Sequence, residues 1–337
     1  MCKIAIFPSI PDDKRDGVTT LVKELSKTMS LADRDGYGYA AVTGDGALFG
    51  ERWLDNSQAF IKRTADKNIL DEIINKYSLQ IESLSPDNFS YNSFGAGSPI
   101  ESLDQMRSII LHARMATCGK GFENTHPFVE GETALIHNGV ISNTHELKNK
   151  YSTCDSEGIL HEYIKNSVSN LSENIGKVAS KLQGYYACAI YSKTENGTRI
   201  LDVFKDDTAR LRMYHIKELD LVCFATPGYT DYNSPMESAC KTLGLTITKS
   251  YDLSGGQLIR FNVLSGEIIE CVNFDPKYSA PKKSIVDQFT RRNKSRGVTK
   301  LDDKLEAVLT SSVEDMENDA LLAEYASIIP YRGRGSY

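Results

Sequence analysis

Short apolar runs, bounded by turn-forming residues, dominate the first 275 positions of the chain. Runs of this length and composition predict β-strands. Several runs are apolar at consecutive positions, which indicates strands covered on both faces by other layers. We place strands at 3–7, 37–42, 108–114, 133–137, 185–192, 200–204, 212–215, 221–225, 257–262 and 267–272.

Segments with helical periodicity separate some of these strands. We place helices at 18–29, 57–62, 68–77, 144–150, 156–171, 175–182 and 235–243. Strands and helices do not alternate regularly, and no glycine-rich phosphate loop joins a strand to a helix. The pattern therefore predicts a mixed α and β fold and argues against a nucleotide-binding domain.

The character of the chain changes after Pro276. Residues 282–300 carry seven basic side chains against Asp287, whereas residues 301–324 carry eight acidic side chains against Lys304. Leucine and valine positions in the acidic part share one helical face, which predicts an amphipathic helix after a basic linker. We therefore divide the chain into a domain at 2–275 and a linker with a charge-segregated tail at 276–337.

Composition narrows the classes of protein that remain. The chain has 337 residues and a net charge of -6, which does not favour a fold built to wrap nucleic acid or to bind an anionic membrane. Apolar runs fall short of the roughly 18–20 residues that a membrane helix needs, and the N-terminus lacks a secretory signal pattern. We expect a cytoplasmic protein. The seven cysteines are scattered singly, which fits neither a disulfide framework nor a zinc ribbon.

Cys2 is the first candidate for chemistry because of its position. A small second residue allows removal of Met1, after which one residue carries both a thiol and a free α-amine. An α-amine has a reference pKa of about 7.7–8.0, so it can act as the general base for its own thiol near neutral pH. Taken alone, a Met-Cys start is a weak signal.

Three further segments carry chemistry in a compatible order. Arg114 ends a predicted buried strand, where it could hold a carboxylate through two hydrogen bonds or pair with an internal acid. Asn138 and Gly139 form either a turn or an amide and a backbone N–H that converge on a developing oxyanion. Asp155 lies at a predicted helix start, where its negative charge could interact favourably with the helix dipole or bind an ammonium group. Together these residues describe a site for an α-amino acid.

With these residues, the sequence resembles the class II glutamine amidotransferases. These N-terminal-nucleophile hydrolases include the glutaminase domains of glucosamine-6-phosphate synthase and glutamine phosphoribosylpyrophosphate amidotransferase. The resemblance covers roughly residues 2–190. It is carried by Cys2, Asp35-Gly36-Tyr37-Gly38, Arg114-Met115-Ala116-Thr117, Asn124-Thr125-His126-Pro127, His137-Asn138-Gly139-Val140-Ile141-Ser142-Asn143, Asp155-Ser156-Glu157 and Gly184-Tyr185-Tyr186-Ala187.

The resemblance implies an α+β fold, a four-layer αββα sandwich, to which the helical, charged tail adds a C-terminal extension. It implies that Cys2 is the nucleophile and that Asn138 and Gly139 form the oxyanion hole. The reaction would release ammonia from L-glutamine through a Cys2 thioester, without a cofactor or a metal. The substrate-binding residues would be Arg114 for the carboxylate, Asp155 for the α-amino group, and Thr117, Gly119 and His126 around them.

Three departures from the family pattern bear on function. Cys118 stands where the glucosamine synthase family commonly has histidine. The stretches 8–30 and 45–105 are long for this family, and we expect insertions near the pocket mouth there. The tail is too short and too polar to be a synthase domain, so we expect a separate ammonia-accepting synthetase or ligase, docked through 282–337.

Three alternatives remain open from the sequence. The chain could be a non-catalytic structural or interaction protein that retains the fold, particularly if Met1 is kept. It could hydrolyse a γ-glutamyl amide other than glutamine. A metal site built from Cys118, His126, His137 and Cys154 is the least favoured, because these residues lack regular ligand spacing.

Overall fold

The computed structural model describes residues 2–32, 35–54, 106–116, 121–166, 171–228 and 234–276. The strands are β1 (Lys3–Phe7), β2 (Gly36–Thr43), β3 (Leu48–Trp53), β4 (Met106–Arg114), β5 (Phe128–Glu130), β6 (Thr133–Ile141), β7 (Gly184–Lys193), β8 (Arg199–Lys205), β9 (Arg212–Ile216), β10 (Leu221–Ala225), β11 (Ile247–Asp252), β12 (Gln257–Asn262) and β13 (Ile268–Asn273). The helices are α1 (Arg15–Ala32), α2 (Asp155–Lys165), α3 (Leu171–Ala179) and α4 (Pro235–Leu243).

The strands form two antiparallel sheets. The first sheet has the order β11-β9-β10-β1-β4-β2-β3, so β1 lies at its centre between β10 and β4. The second sheet has the order β13-β12-β8-β7-β6-β5. Strands β1 and β4 of the first sheet contact β6 of the second. The three strands that carry Cys2, Arg114 and Asn138 are therefore neighbours in space.

Helices cover the outer faces of both sheets. In the first sheet, Ala5 and Phe7 share a core with residues of α1 and α4, including Leu21 and Met236. The second sheet packs in the same way against α2 and α3. Because side chains alternate along a strand, Ile4 and Ile6 of β1 face the opposite way, towards the second sheet. The predicted four-layer αββα sandwich is thus confirmed.

Most strand predictions hold, and three short strands were missed. Strands β1, β10 and β12 and helix α4 have the predicted bounds. The missed strands are β3, which contains Gly50, β5, which has three residues, and β11. In β11 the side chains alternate between half-buried and exposed, because it is an edge strand paired with β9. Such a strand lacks the apolar run that predicts its neighbours.

Two sequence expectations are corrected by the structure. The predicted helix at 144–150 is wrong, because only Thr144–Glu146 forms a single 3-10 turn. The stretch 8–30 is not an insertion at the pocket mouth, because its helix α1 supplies Val18, Leu21 and Leu25 to the core under the first sheet. The first prediction relied on local periodicity and the second on the length of the stretch, and neither reveals which layer a segment joins.

Several predicted features lie outside the described residues. These are the helices at 57–62 and 68–77, most of the expected insertion at 45–105, and the charged tail with its helix. The domain boundary near 275 therefore stays a prediction, although β13 ends at Asn273. Among the described helices, none combines the length and apolarity that crossing a membrane requires.

Candidate active site

Cys2 lies immediately before β1, at the end of the central strand of the first sheet. Its Sγ is 3.4 Å from the backbone oxygen and 3.4 Å from the backbone nitrogen of Met115, which follows the neighbouring strand β4. The residue is half-buried. The thiol is thus held against the chain directly after Arg114 while still reaching the surface.

Arg114 is the last residue of β4 and is buried. The chain around it is fixed by Asp35, whose backbone N–H donates to the Arg114 carbonyl at 2.9 Å. The Asp35 carboxylate accepts from the Ala116 N–H at 2.8 Å. Asp35 thereby secures both sides of Met115, the residue that touches the Cys2 thiol. The sequence contained Asp35 within a family motif but gave no indication of this contact.

Asn138 and Gly139 lie within β6, not in a turn after it, so the turn interpretation of this pair is wrong. A Cβ atom at Gly139 would lie 2.1 Å from the Tyr185 carbonyl oxygen of the paired strand β7. Only glycine fits such a close approach of two backbones. The Asn138 side chain, on the opposite face, is buried between the sheets.

Thr226 connects the Asn138 side chain to the strand that carries Cys2. The Thr226 hydroxyl accepts from Asn138 Nδ2 at 3.1 Å and from the Ile4 N–H at 3.1 Å. The Thr226 N–H in turn donates to the Ile4 carbonyl at 2.9 Å. Sequence reasoning missed Thr226, because residues so far apart in the chain leave no local signal of their contact.

Asp155 is the first residue of α2, and it is largely buried. Its Oδ2 accepts from the Ile141 N–H, the end of β6, at 2.8 Å. Its Oδ1 lies 3.4 Å from the Ser156 hydroxyl and 3.9 Å from His137 Nδ1. Asp155 is therefore tied to the same strand that carries Asn138 and Gly139.

Three buried histidines connect these elements. His126 Nε2 and His137 Nδ1 both hydrogen-bond to the Ser156 hydroxyl, at 2.8 and 2.9 Å. The His126 ring stacks on His112 with ring centroids 3.8 Å apart. His112 Nε2 is 3.1 Å from the His137 carbonyl oxygen, and because a carbonyl only accepts, this nitrogen carries the proton.

Burial keeps the three rings neutral. It lowers the pKa of His112 to about 3, with the nearby His137 as a further cause. Burial also holds the pKa of His126 well below its usual range, and the adjacent His112 adds to this effect. The pKa of His137 is lowered by burial too, although Asp155 opposes the shift. Through these hydrogen bonds the neutral rings connect β4 to β6 and β6 to α2.

The remaining predicted residues are placed as follows. His126 is buried in the histidine cluster, and its substrate-binding role stays a prediction. Thr117 and Gly119 lie outside the described residues, as does Cys118. Cys154 donates from its thiol to Asp155 Oδ1 at 3.4 Å. Within the described ranges, no group of three or more His, Cys, Asp and Glu side chains has a metal-binding arrangement.

Two antiparallel sheets between outer helices, with Cys2 at the end of a central strand, are the arrangement that the sequence resemblance implies. Residues 112–227 match the family model of a glutamine amidotransferase domain. The matched residues thus form part of a glutamine amidotransferase domain, in agreement with the class II resemblance.

Curated relatives match part of the chain. The chain is 39% identical over 97 residues to glutamine–fructose-6-phosphate aminotransferase (isomerizing) of Aquifex aeolicus. The matched stretch covers 26% of this chain and 16% of that protein. The same enzyme of Staphylococcus aureus is 38% identical over 101 residues, covering 26% and 17%. The chain therefore spans about a sixth of the length of these relatives.

Two solved structures resemble the fold. One is the allosteric regulatory enzyme of purine biosynthesis, with a TM-score of 0.52 and 17% identity. The other is glutamine phosphoribosylpyrophosphate amidotransferase of B. subtilis with ADP and GMP, with a TM-score of 0.50 and 17% identity. Each match covers 82% of this chain and 49% of the other. At this identity the likeness concerns the fold alone.

Proposed function

We propose that this domain hydrolyses the side-chain amide of L-glutamine and releases ammonia. The Cys2 α-amine, exposed by removal of Met1, takes the thiol proton, and the thiolate attacks the amide carbon. Asn138 Nδ2 and the Gly139 N–H stabilise the tetrahedral oxyanion. The carbon–nitrogen bond breaks, ammonia leaves with the proton from the α-amine, and water then hydrolyses the thioester to glutamate and free Cys2.

The contact between Cys2 and Met115 is the observation that carries this proposal. It puts the nucleophilic sulfur against Met115, which directly follows Arg114. Arg114 is the residue that we propose to hold the glutamine carboxylate. An arginine at a fixed strand end can hold a carboxylate through two parallel hydrogen bonds, which sets the direction of the substrate. A glutamine fixed in this way would present its side-chain amide at a defined distance from its carboxylate.

Asp155 supplies the opposite charge for the same substrate. Its Oδ1 accepts long hydrogen bonds, of 3.4 Å each, from the Cys154 thiol and the Ser156 hydroxyl. Its Oδ2 accepts a shorter hydrogen bond from the Ile141 N–H. Oδ1 is therefore the oxygen that we propose for the α-ammonium group. Thr117, Gly119 and His126 complete the substrate pocket in this proposal.

We further propose that the ammonia serves a separate acceptor enzyme. Free ammonia is lost by protonation in water unless its transfer to the acceptor is protected. A synthetase or ligase docked through residues 282–337 would shield the transfer. Pull-down from the native host, with and without residues 282–337, tests the docking step.

The chemistry is tested on the full chain after its Met1 removal has been verified by intact mass. The protein is incubated with glutamine, and glutamate and ammonia are measured. It is also treated with a glutamine analogue that carries an electrophilic diazoketone, and the adduct is mapped by mass spectrometry. We expect equimolar glutamate and ammonia and a single adduct at Cys2.

Cys271 provides the matched control for the labelling. It is the other cysteine with a half-buried side chain among the described residues, and burial raises its thiol pKa. We expect Cys271→Ser to keep full activity and Cys2→Ser to lose labelling. Adducts elsewhere than Cys2, or no glutamate from protein that has lost Met1, would overturn the proposal.

Two other results would favour the alternatives. Retention of Met1 in the native host would favour the non-catalytic interaction protein. Turnover of another γ-glutamyl amide would reassign the substrate.

A further inference from the structure

Within the described residues, Thr226 joins β1, the strand that follows Cys2, to the Asn138 side chain through hydrogen bonds. It follows β10 of the first sheet, while Asn138 belongs to β6 of the second. Its hydroxyl accepts from both Asn138 Nδ2 and the Ile4 N–H, each at 3.1 Å. Ile4 is two residues from Cys2, roughly 7 Å along an extended chain.

The Asn138 amide depends on this contact for its orientation. Asn138 Oδ1 is buried and has no hydrogen-bond partner among the described residues. The amide therefore has one hydrogen-bonded anchor, at Nδ2. Asn138 and Thr226 are each only 4% exposed, so water does not replace a lost bond easily. Nδ2 carries two hydrogens, and the bond to Thr226 uses one and leaves the other for an oxyanion.

We propose that Thr226 is a positioning residue for glutamine hydrolysis, whose hydroxyl holds the Asn138 amide in the orientation that stabilises the oxyanion. This inference rests on the proposed function. The same hydroxyl ties Asn138 to the backbone of the strand that carries the nucleophile. The oxyanion donor and Cys2 are thereby held in one frame, although they belong to different sheets.

The first test compares three variants in the full chain. Thr226→Val keeps the shape of the side chain and removes the acceptor, whereas Thr226→Ser keeps the hydroxyl. We expect Thr226→Val to lower kcat by about 10- to 100-fold with little change in KM, since losing a whole oxyanion donor costs about 100- to 1,000-fold. Thr226→Ser should stay within about threefold of the wild type. Thr43→Val, a buried threonine of β2, is the control for loss of a buried hydroxyl.

Thr226→Val also removes the acceptor of the Ile4 N–H, so its folded fraction has to be known. Active sites are therefore counted by Cys2 labelling, and kcat is expressed per labelled site. The second test removes the target of the positioning. In an Asn138→Ala background, Thr226→Val should cause no further loss of kcat, because residues that act through one another are not additive.

A third measurement separates oxyanion stabilisation from substrate binding. An aldehyde analogue of glutamine adds the Cys2 thiol to form a hemithioacetal, in which the thiol proton moves to the oxygen and no group leaves. We expect its affinity to fall in Thr226→Val by the same factor as kcat, while the affinity for glutamate is unchanged.

The outcomes distinguish the two proposals. If wild-type protein lacking Met1 neither releases ammonia nor binds the aldehyde, the proposed function fails. If the wild type is active but Thr226→Val keeps its kcat per labelled site, the positioning role of Thr226 is wrong. A further full loss in the Asn138→Ala background would also overturn it, because Thr226 would then act independently of Asn138.

Discussion

The thiol of Cys2 contacts both backbone polar atoms of Met115, with Sγ 3.4 Å from the nitrogen and 3.4 Å from the oxygen. Asp35 holds the chain on either side of Met115 through the Arg114 carbonyl and the Ala116 N–H. The position of the thiol is thus set by backbone atoms at the end of β4. Side-chain changes in this region should therefore affect substrate binding more than the placement of the Cys2 thiol.

Replacing Arg114 by lysine should weaken glutamine binding selectively. Lysine keeps the positive charge but cannot make two parallel hydrogen bonds to a carboxylate. A hydrogen bond to a charged group contributes about 1.5–3 kcal/mol, so we expect KM to rise roughly 10- to 150-fold with a much smaller change in kcat. Steady-state glutaminase kinetics measure both constants.

Arg107→Lys is the matched control for this prediction, because Arg107 lies on the same strand and pairs with Asp12 near the surface. We expect its KM to equal that of the wild type. A KM for Arg114→Lys within twofold of the wild type would remove Arg114 from the carboxylate site.

Replacing Gly139 by alanine should destabilise the second sheet. The added Cβ would lie 2.1 Å from the Tyr185 carbonyl oxygen, so β6 and β7 would have to separate. Overpacking of this kind costs about 1–3 kcal/mol of unfolding free energy, and activity should fall as well. Denaturant unfolding measures the stability change.

Gly176→Ala provides the opposite control. Gly176 lies within α3, and an added Cβ there meets no atom within 4 Å. We expect this variant to be more stable than the wild type by about 0.5–1 kcal/mol, since alanine is the better helix residue. If Gly139→Ala were as stable as Gly176→Ala, the close approach of β6 to β7 would be refuted.

Sequence reasoning recovered the elements and residues whose signals are local. The strand 3–7 is apolar at most of its positions, and the pair Asn138-Gly139 stands in a recognisable motif, so both were predicted. Contacts between distant parts of the chain were not. Thr226 and Asn138 are 88 positions apart, and the pattern around Thr226 gives no reason to join them.

The amphipathic stretch before Ser30 shows a second limit of local patterns. Its periodicity predicts a helix, but a helical face does not state which sheet it covers. The structure shows that Val18, Leu21 and Leu25 of α1 pack under the first sheet. Position in a layered fold is decided by the packing partner, which lies elsewhere in the sequence.

Replacing Ser156 by alanine should destabilise the histidine cluster. The Ser156 hydroxyl hydrogen-bonds to His126 Nε2 and His137 Nδ1, and all three residues are buried. Removing it leaves buried polar atoms without partners, which costs about 1–3 kcal/mol. Denaturant unfolding checks this. Ser180→Ala, whose exposed hydroxyl donates to the Lys177 carbonyl, should change the stability by less than about 0.5 kcal/mol.

The stability of the domain should fall as the pH drops from about 6.5 towards 3. The folded state holds His112 neutral with a pKa of about 3, whereas an unfolded histidine has a pKa of about 6.5, so the unfolded state binds more protons in this window. The stability contributed by the neutral ring is therefore fully present above pH 6.5 and is lost on acidification.

For His112 alone the loss of stability at pH 5 is about 2 kcal/mol, and His126 and His137 act in the same direction. Unfolding midpoints between pH 7.5 and 5 measure this, and His112→Gln should give a flatter profile than the wild type. Equal stability of the wild type at pH 7.5 and pH 5 would contradict the neutral cluster.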